Sequence, residues 1–404
     1  MKHNSYAPFL ALAVLFVAVS WLTPAVAQSP AWQLTGFVNP HYYADSRAVV
    51  GGREDMMLFY PKPVSLDSNG NDINDGWQAN LLAITARLGL RVQGPDVFGA
   101  KATAYIEGDF TGATNAAINN LRLRHAYFDL RWQHHRLLAG QYWYAMVVHE
   151  IMPMTNPLNM GAPFHCYARQ PQVRYEYAAG GFEAVAVAQW QLDNMSQGLL
   201  NGQPASSTLF ARHSVVPELT AQLRYRTGGL FVGVAVNAKT IQPMVQSVAT
   251  AWQPSRQKYS SLSYSLFGKI NLGPVTVKAQ TLLNNSLYEG CSLGGYLMLA
   301  DSSFADWHFN TVWLGIERNR GRWRPGIFAG YAVNTDSGNH ADALHIFGRG
   351  HDIDYLWRVQ PRLTYAASAA FSLTAEAEYT CAKYTADPEP VANLRLSLSA
   401  TYAF

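Results

Sequence analysis

The chain has 404 residues, 49% of them hydrophobic, 13% aromatic and only 14% charged. Its 30 Lys and Arg stand against 27 Asp and Glu, a formal net charge of +3. That balance is too even for a nucleic-acid binder, and the composition is too apolar for a disordered chain. Glycine and the aromatic residues run along the whole length, so one large all-β body is expected rather than a string of domains.

The first element in chain order reads as an export signal. Lys2 gives a basic start, Phe9 to Leu22 an apolar run, and Ala25-Val26-Ala27 a small-x-small cleavage site. The expected division is a signal peptide over 1–27 and a barrel over 28–404. No later apolar run reaches the roughly 18 residues of a membrane helix, which argues against a helical membrane protein.

Period-2 alternation then dominates. The second strand sets Leu82, Ile84, Ala86, Leu88, Leu90 and Val92 against Thr85, Arg87, Gly89, Arg91 and Gln93. The third sets Ala102, Ala104, Ile106 and Phe110 against Lys101, Thr103, Tyr105, Glu107 and Asp109. In the fourth, Arg122 and Arg124 alternate cleanly, but His125, Tyr127 and Asp129 then fall on the outer face unless a bulge intervenes. Polar residues there would fit a subunit interface. The last strand sets Leu394, Leu396, Leu398, Ala400, Tyr402 and Phe404 against Asn393, Arg395, Ser397, Ser399 and Thr401.

Long strands with one apolar and one charged face suit a transmembrane antiparallel β-barrel, with lipid outside and water inside. Backbone groups in lipid must all be paired, so the sheet must close. Short turns such as Gly228-Gly229 and Gly273-Pro274 alternate with long segments at 46–78, 111–120, 146–168, 193–216, 241–256, 285–306, 335–352 and 385–391. This is the short periplasmic turn and long extracellular loop pattern, and it counts about sixteen strands. Trp32, Trp77, Trp190 and Trp323 near strand ends suit the headgroup level. The expected setting is the outer membrane of a Gram-negative bacterium, among lipid and lipopolysaccharide. Thr401-Tyr402-Ala403-Phe404 closes the final strand on the Phe of an outer-membrane assembly signature.

The inward face gathers cations. Arg87, Arg91, Lys101, Arg122, Arg124, Arg174, Arg224, Arg226, Arg358, Arg362 and Arg395 are the candidate pore lining, with Lys239, Lys269 and Lys278 beside them. The inward acids are fewer: Glu107, Asp109, Glu176, Glu376 and Glu378. Guanidinium groups stay charged and match carboxylates bidentately, so a lumen of this kind favours anions unless the charges cancel across strands. The third long loop, Met146 to Ala168, has the size to fold inward and set the constriction.

Other chemistry is sparse. Asp67, Asn69, Asn71 and Asp75 have the spacing of a Ca²⁺ loop, but Asp72 sits where an EF-hand needs Gly and Gln78 where it needs Glu, and a loop of Asx-turns is the alternative. His149-Glu150 lacks the second His of a zinc motif, and no Ser lies in G-x-S-x-G. Cys166 and Cys291 fall in outer loops and could pair, or stay reduced beside Cys381.

The runs Thr85-Ala86-Arg87-Leu88-Gly89-Leu90-Arg91, Tyr105-Ile106-Glu107-Gly108-Asp109-Phe110, Leu121-Arg122-Leu123-Arg124-His125-Ala126-Tyr127 and Leu138-Ala139-Gly140-Gln141 resemble the DcaP-like trimeric porins over about residues 80 to 177. The chain lacks the N-terminal coiled coil of some members. The resemblance implies a homotrimer of diffusion channels for small, mostly anionic nutrients. The leading expectation is therefore a passive outer-membrane porin with no cofactor and no enzyme activity. An outer-membrane enzyme of phospholipase or protease type and a loop-based adhesin or assembly partner are the alternatives.

Overall fold

The structure, a computed structural model, describes residues 31–156, 160–336 and 342–404. The expected signal peptide lies outside them. Sixteen antiparallel strands close on themselves as a transmembrane barrel. The first strand, β1, runs through Ala31–Val38 and His41–Arg47, and β2 through Asp75–Leu82 and Arg87–Gln93. Then come β3 (Lys101–Asp109), β4 (Arg122–Arg131), β5 (His135–Trp143), β6 (Arg169–Ala179), β7 (Phe182–Gln189) and β8 (Glu218–Thr227). The circuit continues with β9 (Leu230–Ile241), β10 (Tyr259–Leu272), β11 (Val275–Asn285) and β12 (Phe309–Arg318). It ends with β13 (Trp323–Asn334), β14 (Ile353–Ala366), β15 (Phe371–Tyr384) and β16 (Val391–Ala403). Each strand pairs with the next, and β16 returns to β1 with Leu398 opposite Tyr42 and Arg395 opposite Asp45.

Alternation fixes which side is which. Leu90, Ile106, Leu223, Leu266, Val312, Leu363 and Leu398 are exposed on the outer face, while their neighbours along each strand turn inward and are mostly buried and polar. A continuous apolar exterior with no open edge is what a bilayer requires. The connections follow the expected short-long rhythm, with short turns such as 180–181, 228–229 and 273–274 at one mouth and eight long loops at the other.

Two local irregularities change the expected faces. The expected alternation of Leu82 and Ile84 with Leu88 does not run through. β1 pauses at Asn39-Pro40, where Pro40 has no N–H to give the ladder, and β2 pauses opposite it. There Ala86 N–H closes a turn onto Ala83 O at 3.1 Å, and Thr85 donates to Asn39 O at 3.3 Å. The parity shifts, and Leu82 and Ile84 join the apolar cluster inside. The second irregularity lies in β4. Glu107 faces His125 but Gly108 faces Leu123, so Arg124 is one extra residue. This is the bulge that the sequence left open: it brings His125, Tyr127 and Asp129 inward, so they form no polar patch on the outer face. Gln141 covers the bulge by donating to Leu123 O at 3.0 Å.

The loops fold into the barrel mouth rather than away from it. Loop 1 (48–74) carries the hairpin Val49–Gly52 and Met57–Pro61, with Met56, Leu58 and Phe59 buried. Loop 3 (144–168) passes through the interior. Loop 4 (190–217) holds the only α-helix among the described residues, Thr208–Ser214, with Ser207 Oγ accepting from Leu209 N–H at 3.1 Å as its N-cap. Loops 6 and 7 share a small sheet of Gly294–Leu299, Phe304–Trp307 and Ala343–Arg349. Together these segments build an apolar core inside the barrel, packed on inward strand residues such as Phe231, Phe267, Trp313 and Phe328.

Candidate functional site in the barrel interior

Four of the inward residues named from sequence form one lattice. Arg122 grips Asp109 bidentately, Nε to Oδ1 at 3.1 Å and Nη2 to Oδ2 at 2.9 Å. Arg124 bridges Glu107 at 2.5 Å and Asp109 at 2.8 Å. Tyr105 donates to the other Glu107 oxygen at 2.8 Å. Arg87 stands 3.7 Å from Glu107, beyond hydrogen-bond reach.

Two further arginines join this group. Arg169 opens β6 and lies over the Trp143 ring at 4.1 Å, with its Nη2 donating to the Tyr167 hydroxyl at 3.0 Å. Arg53 comes from loop 1, where Arg53, Glu54 and Asp55 take left-handed φ of 61°, 56° and 59° in succession. Each such residue costs about 1–2 kcal/mol. The turn is held by Arg395, which donates to Asp55 O at 2.7 Å and Met56 O at 3.0 Å, by the Tyr43 hydroxyl on Glu54 O, and by Asn115 Oδ1 on Arg53 N–H at 2.7 Å. Arg53 lies in the field of Arg122, and Arg169 in that of Arg122 and Arg124. Five guanidinium groups thus gather in one region with two carboxylates, and three of them, Arg87, Arg122 and Arg124, stand within 3.7 Å of those acids. The Nε atoms of Arg53, Arg87 and Arg169 are buried with no hydrogen-bond partner among the described residues.

A second basic section opens at the short-turn mouth. It is a cavity of about 430 Å³ lined by Arg136, Arg174, Glu176, Arg224, Arg226 and Glu150, among others. Arg136 bridges Asp129 at 2.9 Å and Glu176 at 3.1 Å, and Arg174 meets Glu176 at 2.5 Å. His125, Tyr127 and Tyr142 stand between the two sections, with ring centroids 5.1–5.5 Å from Tyr142.

Not every inward arginine is free to meet a solute. Arg358 is fully buried and donates to Leu58 O, Phe59 O and Ala162 O at 3.2, 3.0 and 2.7 Å, while its Nε faces Glu378 at 3.0 Å. One guanidinium therefore ties loops 1 and 3 to β14. Arg395 holds Asp45 at 2.7 Å besides its loop 1 carbonyls. Arg362 lies 3.7 Å from Glu317. Glu376 accepts from Asn156 N–H at 3.0 Å, a further tie to loop 3. Lys239 pairs with Glu289 of loop 6 at 2.8 Å. At the rim, Lys101 pairs with Asp96 at 2.8 Å and Arg91 lies over Tyr105 at 5.2 Å.

Loop 3 is also seated by packing. Phe164 rests on Gly330 and Phe328, and His165 meets Gln280 at 2.7 Å. A Cβ at position 330 would lie 2.6 Å from the Phe164 ring. Gly330→Val should therefore lift Phe164 and lower stability by about 1–3 kcal/mol. A lower urea midpoint with a red-shifted Trp313 emission checks this, since Trp313 stacks on Phe328.

The other candidate ligands are occupied differently. Asp67 accepts from Asn71 N–H at 2.9 Å, from Asn69 N–H at 2.8 Å and from the Asn71 side chain at 3.2 Å, an Asx-turn arrangement. Those donors hold its carboxyl below the usual range. Asp75 opens β2. Among the described residues no three His, Cys, Asp or Glu side chains are grouped to share a metal ion. Cys166 and Cys291 are buried free thiols where loops 3 and 6 meet, with Tyr167 N–H on Gly290 O at 2.6 Å.

Sequence reading missed Arg53, Arg136, Arg169 and Glu150. Arg136 and Arg169 lie at strand starts and Arg53 and Glu150 in long loops, where alternation assigns no face. The pair Gly51-Gly52 before Arg53 was the one available signal of a tight turn.

The barrel is similar to the outer membrane channel DcaP of Acinetobacter baumannii, with a TM-score of 0.69 and 19% identity over 93% of this chain and 97% of that one. The resemblance read from residues 80 to 177 thus extends to the whole barrel. An anion-selective porin from Comamonas acidovorans gives a TM-score of 0.56 at 12% identity, over 93% of this chain and all of that one, 100%. The trimer form of in-vitro folded OmpT of Vibrio cholerae gives 0.54 at 10%, over 93% and 100%. At these identities the likeness establishes the fold. No protein-family model matches the sequence, and no curated relative does.

Proposed function

We propose that the protein is an outer-membrane porin through which small anions, carboxylates among them, diffuse passively. The observation that carries this reading is the group of Arg53, Arg87, Arg122, Arg124 and Arg169 around Glu107 and Asp109, with three Nε donors unpaired. A buried Nε–H without a partner is costly, and an anion oxygen that accepts from it relieves that cost. Loop 3 is tied across the interior by Arg358 on Ala162 O, a placement that supports its setting the constriction, and the cavity at the short-turn mouth carries further arginines. The short turns face the periplasm and the long loops the exterior, as in outer-membrane barrels generally. Assembly as a homotrimer among lipid and lipopolysaccharide accompanies this reading, supported by the trimer form of one fold relative.

Liposome swelling tests it. Proteoliposomes of the refolded chain should swell several-fold faster in sodium acetate or succinate than in the chloride salt of an amine of equal size. Equal rates would remove the anion preference, and no swelling in either would remove the channel.

A further inference from the structure

The charge pairs inside the barrel divide into two kinds. The structural ones are short and dry: Arg124–Glu107 at 2.5 Å, Arg395–Asp45 at 2.7 Å and Lys239–Glu289 at 2.8 Å, with side chains at most 10% exposed. Glu150 belongs to the other kind. It sits on the single 3-10 turn His149–Ile151 of loop 3, between Val148 and Ile151, which are both buried in the apolar core. That turn is further held by Lys278, which donates to Met152 O at 3.0 Å. The backbone is thus fixed, while the carboxylate projects into the basic cavity.

There Glu150 stands 3.6 Å from Arg224 and 3.4 Å from Arg226, with a quarter of its side chain, 25%, exposed and 43% of that of Arg226. Lys269 adds its field from β10. These separations are too long for strong charge-assisted hydrogen bonds, which fall near 2.7–2.9 Å. Water reaches Glu150 and Arg226, whereas Arg224 is only 5% exposed and gives its Nε and Nη2 to Gln222 Oε1 at 2.8 and 2.5 Å, so a solute anion can exchange with this carboxylate at Arg226. Glu183 of β7 touches the same two arginines at 3.7 and 3.3 Å. It belongs to the wall, however, and Glu150 is the acid that the loop narrowing the passage brings to them.

We propose that Glu150 is an internal competitor: a tethered carboxylate that occupies Arg226, with the remaining Nη1 of Arg224 beside it, in place of a permeating anion and so sets how tightly this section holds its solute. The proposal deepens the anion-porin reading and rests on it. A tethered carboxylate weakens resident binding and keeps anions moving, since conduction needs sites that release as well as attract.

The test is sulfate binding to the detergent-folded full chain, read by calorimetry and by Trp132 emission, because Trp132 lines the same cavity. Glu150→Gln should bind sulfate about tenfold more tightly, a change of about 1.4 kcal/mol. Glu150→Asp should restore wild-type affinity. Arg226→Gln added to Glu150→Gln should cancel the gain, which places the site. In bilayers, Glu150→Gln should show sulfate block of the chloride current at correspondingly lower concentration. Unchanged or weaker sulfate binding in a heat-modifiable Glu150→Gln barrel overturns the proposal. So does an equal gain in Glu150→Asp, which would mark a structural effect of the loop. A wild-type barrel that fails to conduct would sink the porin reading, yet the binding comparison would still decide the role of Glu150.

Discussion

Arg53→Gln combined with Arg87→Gln should lower the chloride-over-potassium preference several-fold while leaving the barrel folded. Neither side chain is needed to hold the acids, because Glu107 keeps Arg124 at 2.5 Å and Asp109 keeps Arg122 at 2.9 Å and Arg124 at 2.8 Å. The double change takes the central group from five cations against two acids to three against two. In a narrow, low-dielectric passage a net charge of this size governs which ion enters. The shift in reversal potential under a salt gradient measures it, with the urea midpoint as the check on folding. Arg122→Gln makes the contrast: it leaves Asp109 short of a bidentate partner, so it should lose stability as well as selectivity. A double mutant with an unchanged reversal potential would remove Arg53 and Arg87 from the selective step.

Arg358→Ala should have the largest effect on architecture. One guanidinium binds three carbonyls from two inserted loops and faces the Glu378 carboxylate at 3.0 Å. Its loss deprives buried polar groups of their donor, a change of about 3–5 kcal/mol for a buried pair. Loops 1 and 3 should loosen together, giving a larger and noisier single-channel conductance. Arg358→Ala with Glu378→Gln should recover part of the stability but not the steady conductance, because the charge is relieved while the carbonyls stay unbound. A quiet, wild-type conductance in Arg358→Ala would show that the loops are seated without it.

The barrel was legible in the sequence because bilayer and water impose opposite demands on neighbouring residues. The exposed Leu396 and Leu398 against the buried Arg395 and Ser397 could be read directly. What alternation could not reveal is where its phase slips. Arg124 as an extra residue, and the pause at Ala83 to Ala86, depend on the partner strand and not on local pattern. Alternation also cannot sort inward arginines. Arg87, Arg358 and Arg395 obey the same rule, yet Arg358 and Arg395 bind loop carbonyls and Arg87 does not. That difference is made by loops that meet the strands only in the folded chain. For the same reason Arg53 and Glu150 had no face to be assigned to.

In the proposed anion porin, inward guanidinium groups in excess over carboxylates admit anions ahead of cations. The most direct measurement is planar-bilayer conductance of the refolded protein under a potassium chloride gradient. Discrete channel steps with a reversal potential on the chloride side are expected. A folded, heat-modifiable barrel with a reversal potential on the potassium side, or with no conductance at all, would contradict that expectation.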